Sequence, residues 1–161
     1  NSVKVQIRAL WWVFVSSFAF KGGPLLTLDG KGRVTVPSRY RDVLMSAVEG
    51  QLVVSKSHVR CLSLFPRPVW EQFESRLNTL PASADGLRRL YIGSATEVAI
   101  DASSRVLLPP ELRAWAGLER EVVFMGLGNR FEIWDKARYD AHEADVLTGD
   151  MSAQLSGLFI G

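Results

Sequence analysis

Two aspartates in this 161-residue chain each stand four positions ahead of an arginine: Asp29 with Arg33, and Asp101 with Arg105. A carboxylate pair suggests general acid–base chemistry, but the local context favours turns. Asp29 precedes Gly30, Lys31 and Gly32. An Asp at a turn start accepts hydrogen bonds from backbone N–H groups two or three residues on, or from a following arginine. Asp29, Gly30, Gly32 and Asp101 are therefore assigned to shaping the turns, and the chemistry passes to the cations. Lys31, Arg33, Arg39 and Arg41 fall within one short stretch flanked only by Asp29 and Asp42. Such a positive patch suits phosphate oxygens, and arginine is also the commonest bidentate reader of guanine. Ser103 and Ser104 stand where Lys31 and Gly32 do, so Arg105 is expected to make a weaker contact or a purely structural one.

Other chemistries fail on spacing. Gly30-Lys31-Gly32 lacks the preceding glycine and following Ser/Thr of a phosphate-cradling loop, and Thr35 stands where a dinucleotide fingerprint needs its third glycine. No Gly-x-Ser-x-Gly nucleophile motif occurs. His58 and His142 lie far apart and Cys61 is the only cysteine, so neither a metal site nor an intrachain disulfide is expected. A single cysteine fits a reducing cytoplasm. His58 reads as part of a polar loop between strands.

The elements that must position these residues form an internal repeat. Leu28–Pro37 aligns with Ile100–Pro109 at a constant offset that keeps Asp, Arg and Pro in register, and Arg41 with Arg113 extends the match. Leu62–Phe65 followed by Trp70 pairs in the same way with Phe131–Trp134 followed by Tyr139. In each copy a short strand (Leu25–Leu28; Val98–Ile100) enters the turn and a second leaves it (Arg33–Val36; Arg105–Leu108), Asp29-Gly30 being a strong hairpin signal. Pro37 and Pro110 then open helices, the first with an apolar face of Tyr40, Val43, Leu44, Ala47 and Val48. Two β-rich runs follow in each copy, Gln51–Ser55 with Cys61–Phe65 and Glu121–Gly126 with Arg130–Trp134, giving four strands and one helix per copy. A linking helix carries Val69, Trp70, Phe73 and Leu77 as core residues, and a second short helix spans Gly86–Tyr91. The chain thus divides into 1–19, an atypical hydrophobic extension; 20–80, the first repeat with its linking helix; 81–140, the second repeat; and 141–161, a polar tail expected to be mobile. The apolar run Ala9–Phe20 is too short to span a membrane and lacks a cleavage site, so residues 1–19 are read as upstream sequence or an unusual extension that packs as a strand, with export as the alternative.

Hydrophobic residues at 47% and charged residues at 22% exclude wholesale disorder and fibrous structure. The net charge of +2 hides an asymmetry. Residues 1–60 hold nine Lys/Arg against three acids, whereas the remainder is acidic, which is the footprint of a chain presenting one face to a phosphate backbone.

Several segments together resemble the MraZ family, bacterial transcriptional regulators of the division and cell-wall gene cluster. They are the two Asp-x-x-x-Arg motifs, Lys31-Gly32-Arg33-Val34, Val36-Pro37-Ser38-Arg39-Tyr40-Arg41, Gly93-Ser94-Ala95-Thr96-Glu97 and Phe131-Glu132-Ile133-Trp134. The resemblance covers Phe20 to about Tyr139. It implies an α+β chain with a tandem-repeat, swapped-hairpin AbrB-like β-barrel and short helices, the two repeats forming a pseudo-dimer. It further implies homo-oligomeric rings and binding to short direct repeats in promoter double-stranded DNA, in the cytoplasm at the nucleoid. The contact would fall on Lys31 and Arg33, with Arg39 and Arg41 beside them and Arg105 in the equivalent second place. Under this reading the chain is not an enzyme, needs no cofactor, and takes no membrane or small-molecule substrate. The competing reading is a non-enzymatic protein-binding or assembly module of the same fold, in which the acidic tail engages the partner.

Overall fold

The computed structural model describes residues 18–159, so most of the expected extension lies outside the described residues. Nine strands are found among the described residues: β1 Phe20–Gly22, β2 Leu25–Thr27, β3 Arg33–Thr35, β4 Gln51–Lys56, β5 Leu62–Pro66, β6 Thr96–Ala99, β7 Arg105–Leu107, β8 Glu121–Gly128 and β9 Phe131–Asp135. The helices are α1 Ser38–Val48, α2 Arg67–Asn78, α3 Asp85–Tyr91, α4 Pro110–Ala116, α5 Lys136–Leu147 and α6 Ser152–Leu155, with a 3-10 turn at Ala82–Ala84. This is a mixed α+β chain of antiparallel strands and short helices.

The expected local hairpins do not extend into strands. The Asp29-Gly30 turn closes, with Asp29 N–H donating to the Arg33 carbonyl at 2.9 Å, but its two arms then part. β2 pairs with β8 and β3 pairs with β7, while in the second copy β6 pairs with β4. Five of the seven antiparallel pairings join one copy to the other; only β4–β5 and β8–β9 are internal. Side-chain burial explains the choice. Leu52, Val53, Val54 and Ser55 of β4 and all five residues of β5 are buried, so these strands must be covered on both faces and flanked on both edges. The order is β1-β8-β9-β5-β4-β6, with β2 sharing the β8 edge with β1, and β3–β7 forms a separate ladder. Among the described residues the strands make one seven-stranded sheet plus a separate two-stranded ladder, and hydrogen bonding does not close them into a ring. β1 is an additional strand that the sequence did not signal.

Helix boundaries follow the prolines. Pro37 stands just before α1 rather than inside its first turn, and Pro110 occupies the start of α4. Left-handed residues stop both helices, Glu49 (φ 56°) and Gly117 (φ 66°). On α1 only Tyr40 and Leu44 are buried; Val43 is exposed, contrary to the expected continuous apolar face. The main core gathers Val34, Leu44, Leu52, Leu64, Val106, Leu108, Phe124 and Phe131 from both copies. A second cluster joins Phe65, Val69, Trp70, Leu77 and Tyr91, with Phe73 against it, so the linking-helix aromatics are packing residues. Cys61 is buried beside Val123 and Trp134, where burial pushes its thiol pKa up and keeps it an inert thiol. No helix of the described residues is long and apolar enough to cross a membrane.

Candidate nucleic-acid interface

The β3–β7 ladder sits where the two copies meet. Its register places Val34 opposite Val106, with Arg33 opposite Leu107 and Thr35 opposite Arg105. Val34 and Val106 are both 0% exposed and anchor the ladder to the core. Alternation along a strand then sends the flanking residues outward. Arg33 and Arg105 are half-buried, Thr35 is exposed and Leu107 is 54% exposed. The ladder is thus a two-stranded ribbon with a near-dyad at the valine pair and one arginine from each copy on its solvent face.

Both turns are wired alike. Asp29 Oδ1 accepts the N–H groups of Lys31 and Arg33, each at 2.9 Å, and Asp29 Oδ2 accepts Arg33 Nε at 2.7 Å. Asp101 Oδ1 accepts the N–H groups of Ser103 at 2.8 Å and Arg105 at 2.9 Å, and its Oδ2 lies 3.5 Å from Arg105 Nε. Arg105 Nη1 also reaches to 4.0 Å from Asp29 Oδ2, linking the two motifs into one cluster of two acids and two guanidiniums. Gly32 (φ 87°) and Ser104 (φ 65°) both take the left-handed conformation the turn demands, which glycine adopts freely and serine only at a cost.

The copies also clasp each other behind the turns. Val36 N–H donates to the Ser104 carbonyl at 2.8 Å and Leu108 N–H to the Gly32 carbonyl at 2.9 Å. Arg41 Nη1 donates to Ser104 Oγ at 2.6 Å, while Arg113 Nε donates to the Leu108 carbonyl at 3.0 Å. A Cβ at Gly32 would overlap the Arg113 guanidinium, so only glycine lets that side chain lie on the turn. Arg41 and Arg113, at equivalent positions of their two helices, therefore each pack on the turn of the opposite copy.

These contacts sort the cations singled out from sequence. Arg33 and Arg105 come together on the ribbon, Lys31 is exposed beside them at the turn tip, and a Cβ added at Gly30 would meet nothing within 4 Å. Arg41 joins the group from behind, through Ser104. Arg39 does not join it: its guanidinium lies 4.7 Å from the Tyr40 ring centroid and covers Gly22. Sequence reasoning placed Arg113 in the repeat but not in the site; its alignment with Arg41 was the available signal. No group of three or more potential metal ligands occurs among the described residues.

The braced carboxylates are strongly acidic. The Arg33 N–H, then the Arg33 guanidinium and the Lys31 N–H, hold the Asp29 pKa down to about 2 against a partial desolvation penalty. Asp101 is lowered in the same way, chiefly by the Arg105 N–H. A carboxyl whose pKa is lower in the folded than in the unfolded chain contributes stability that is complete above its ordinary value of 3.8 and lost as pH falls through about 2. Asp29→Asn is thus expected to remove a contribution that is constant at neutral pH and vanishes in strong acid. Thermal melts of both proteins across that range check this: the gap between them should close as pH falls. A gap that stays constant to the acid end would show that the charge of Asp29 does not brace the turn.

A family model described as "MraZ protein, putative antitoxin-like" matches residues 19–90 and again residues 91–157. The chain is 49% identical over 133 residues to a protein of Methylibium petroleiphilum named transcriptional regulator MraZ, covering 83% of this chain and 91% of that one. A protein of the same name from Delftia acidovorans is 49% identical over 134 residues, covering 83% and 94%. A third from Leptothrix cholodnii is 47% identical over 137 residues, covering 85% and 94%.

Proposed function

Since the chain belongs to the MraZ family, we propose that it is a transcriptional regulator that binds double-stranded DNA through the β3–β7 ribbon. The observation that carries this reading is the pair of Asp-braced arginines on the ribbon's solvent face. A two-stranded ribbon fits the major groove. Asp29 holds Arg33 by Nε alone, which leaves both Nη groups to donate to a guanine edge, and a guanidinium fixed in advance loses less entropy on binding. Lys31 at the exposed tip contacts phosphate, and the bare Cα of Gly30 lets the backbone approach closely. The second turn, with Ser103 for Lys31, is the weaker contact.

The exchange of strands between copies supports a swapped-hairpin, AbrB-like organisation with repeats at 20–80 and 81–140 acting as a pseudo-dimer. Several such chains in a homo-oligomeric ring would bind successive direct repeats with raised effective concentration. This function is non-enzymatic and places the protein at the nucleoid. The test is fluorescence anisotropy on DNA bearing several direct repeats, one repeat, or a scrambled sequence, across a salt series. Several repeats should bind most tightly, and affinity should fall linearly with log salt, by about 0.9 log units per phosphate neutralised. Equal binding to all three DNAs overturns sequence reading.

One observation favours a second reading, a protein-binding module. Leu147, Met151, Leu155, Leu158 and Phe159 are exposed apolar residues beyond the folded core, the last at 80%. If that tail engages a partner, truncation after Asp135 abolishes function while Arg33 is dispensable.

A further inference from the structure

Sharing no residue with the ribbon, α2, the β4–β5 loop and the β8–β9 turn line a cavity of about 310 Å³. Three cationic or titratable side chains line it from three separate elements: Arg76 in the last turn of α2, Arg130 just ahead of β9, and His58 between β4 and β5. Among the described residues neither arginine takes part in an ion pair, and no carboxylate lines the cavity. The nearest acid by strand register, Glu132 opposite Ser63, instead accepts the Trp134 indole N–H at 3.0 Å. Two guanidiniums lining one cavity that no carboxylate lines offer the donor chemistry that a tetrahedral oxyanion takes.

Neutral donors complete the set. Ser63, only 2% exposed, places its hydroxyl in the lining. Tyr91 holds the imidazole in place, its hydroxyl 2.7 Å from His58 Nδ1 and 3.2 Å from the His58 backbone nitrogen, so Nε2 is the ring nitrogen not engaged by Tyr91. Val69 and Phe73 supply an apolar wall, the Phe73 ring being stacked on Phe65 at 5.2 Å.

We propose that this cavity is a binding site for a small phosphate-bearing molecule with a planar apolar group, the phosphate held between Arg76 and Arg130 and the ring laid on Phe73. The ligand is held rather than turned over, and the site stands whether or not the ribbon reads DNA.

Phenyl phosphate, titrated into the full chain with amide shifts followed by NMR, tests this. Saturable shifts are expected at Ser57, His58, Ser63 and Arg130, and not at Lys31 or Arg33. Removing both guanidiniums (Arg76→Gln with Arg130→Gln) should weaken binding by at least about tenfold, with the remaining spectrum unchanged. Arg89→Gln, on exposed surface outside the cavity, should bind as the parent does. Phenol, which lacks the anion, should bind at least about tenfold more weakly. Absence of saturable shifts, shifts confined to the ribbon turns, equal binding of phenol, or undiminished binding by the double variant would each overturn the proposal.

Discussion

Arg33→Ala is expected to cost about 5- to 150-fold in affinity for repeat-bearing DNA, the equivalent of about 1–3 kcal/mol for one bidentate base contact. It should also erase the preference for repeats over scrambled DNA. The fold should barely notice. The Arg33–Asp29 pair is about a quarter to a third exposed, and ion pairs so open to solvent contribute little to stability. Lys31→Ala gives the contrasting result, because a phosphate contact carries no sequence information: affinity should fall for all DNAs alike, with the salt slope reduced by about 1. Anisotropy on matched repeat and scrambled DNAs, with each variant's melting temperature measured alongside, separates the two. An Arg33→Ala protein that still prefers repeats would remove the ribbon as the reader and shift weight to the apolar tail.

Phe131→Ala should produce the largest loss of stability, about 3–5 kcal/mol. Phe131 is fully buried, and its ring centroid lies 4.4 Å from Phe20, 5.0 Å from Tyr40 and 5.0 Å from Phe124. Its strand pairs with both β5 and β8, so the residue lies at the join of the copies. Tyr40, packed against it, donates its hydroxyl to the carbonyls of Lys21 and Gly22, so the cavity would also loosen β1. A domain of this size should then melt about 6–20 °C lower. A drop of only a degree or two by calorimetry would mean that the neighbouring rings collapse into the space.

The features visible in the sequence were those set by local chemistry. The turn carboxylates needed only Asp at the right distance from a backbone N–H, and the helices needed only a proline start and an apolar period. Strand partners were not legible in that way. Asp29-Gly30 favours a hairpin, yet β2 pairs with β8 and β3 with β7, partners distant in the chain that no local spacing marks. Arg39 and Arg41 illustrate the same limit. They are two residues apart on α1, so the helix turns them to different faces, one onto Tyr40 and the other to Ser104 of the opposite copy. Ser104 hid its left-handed backbone behind a residue type that rarely adopts it, and only its alignment with Gly32 hinted at it.

The unequal turns at the two ends of the ribbon give it a polarity. An identical pair would read the same in both directions and would favour palindromes, as symmetric dimers do. With Lys31 and Gly32 at one end and Ser103 and Ser104 at the other, rotation about the valine pair no longer restores the same surface. Joining both copies in one chain allows them to diverge independently, which a dimer of identical chains cannot do. Bound to a duplex as proposed, a ribbon with a direction of its own would distinguish the two ways of pointing along it, and sites that it occupies side by side would then run head to tail.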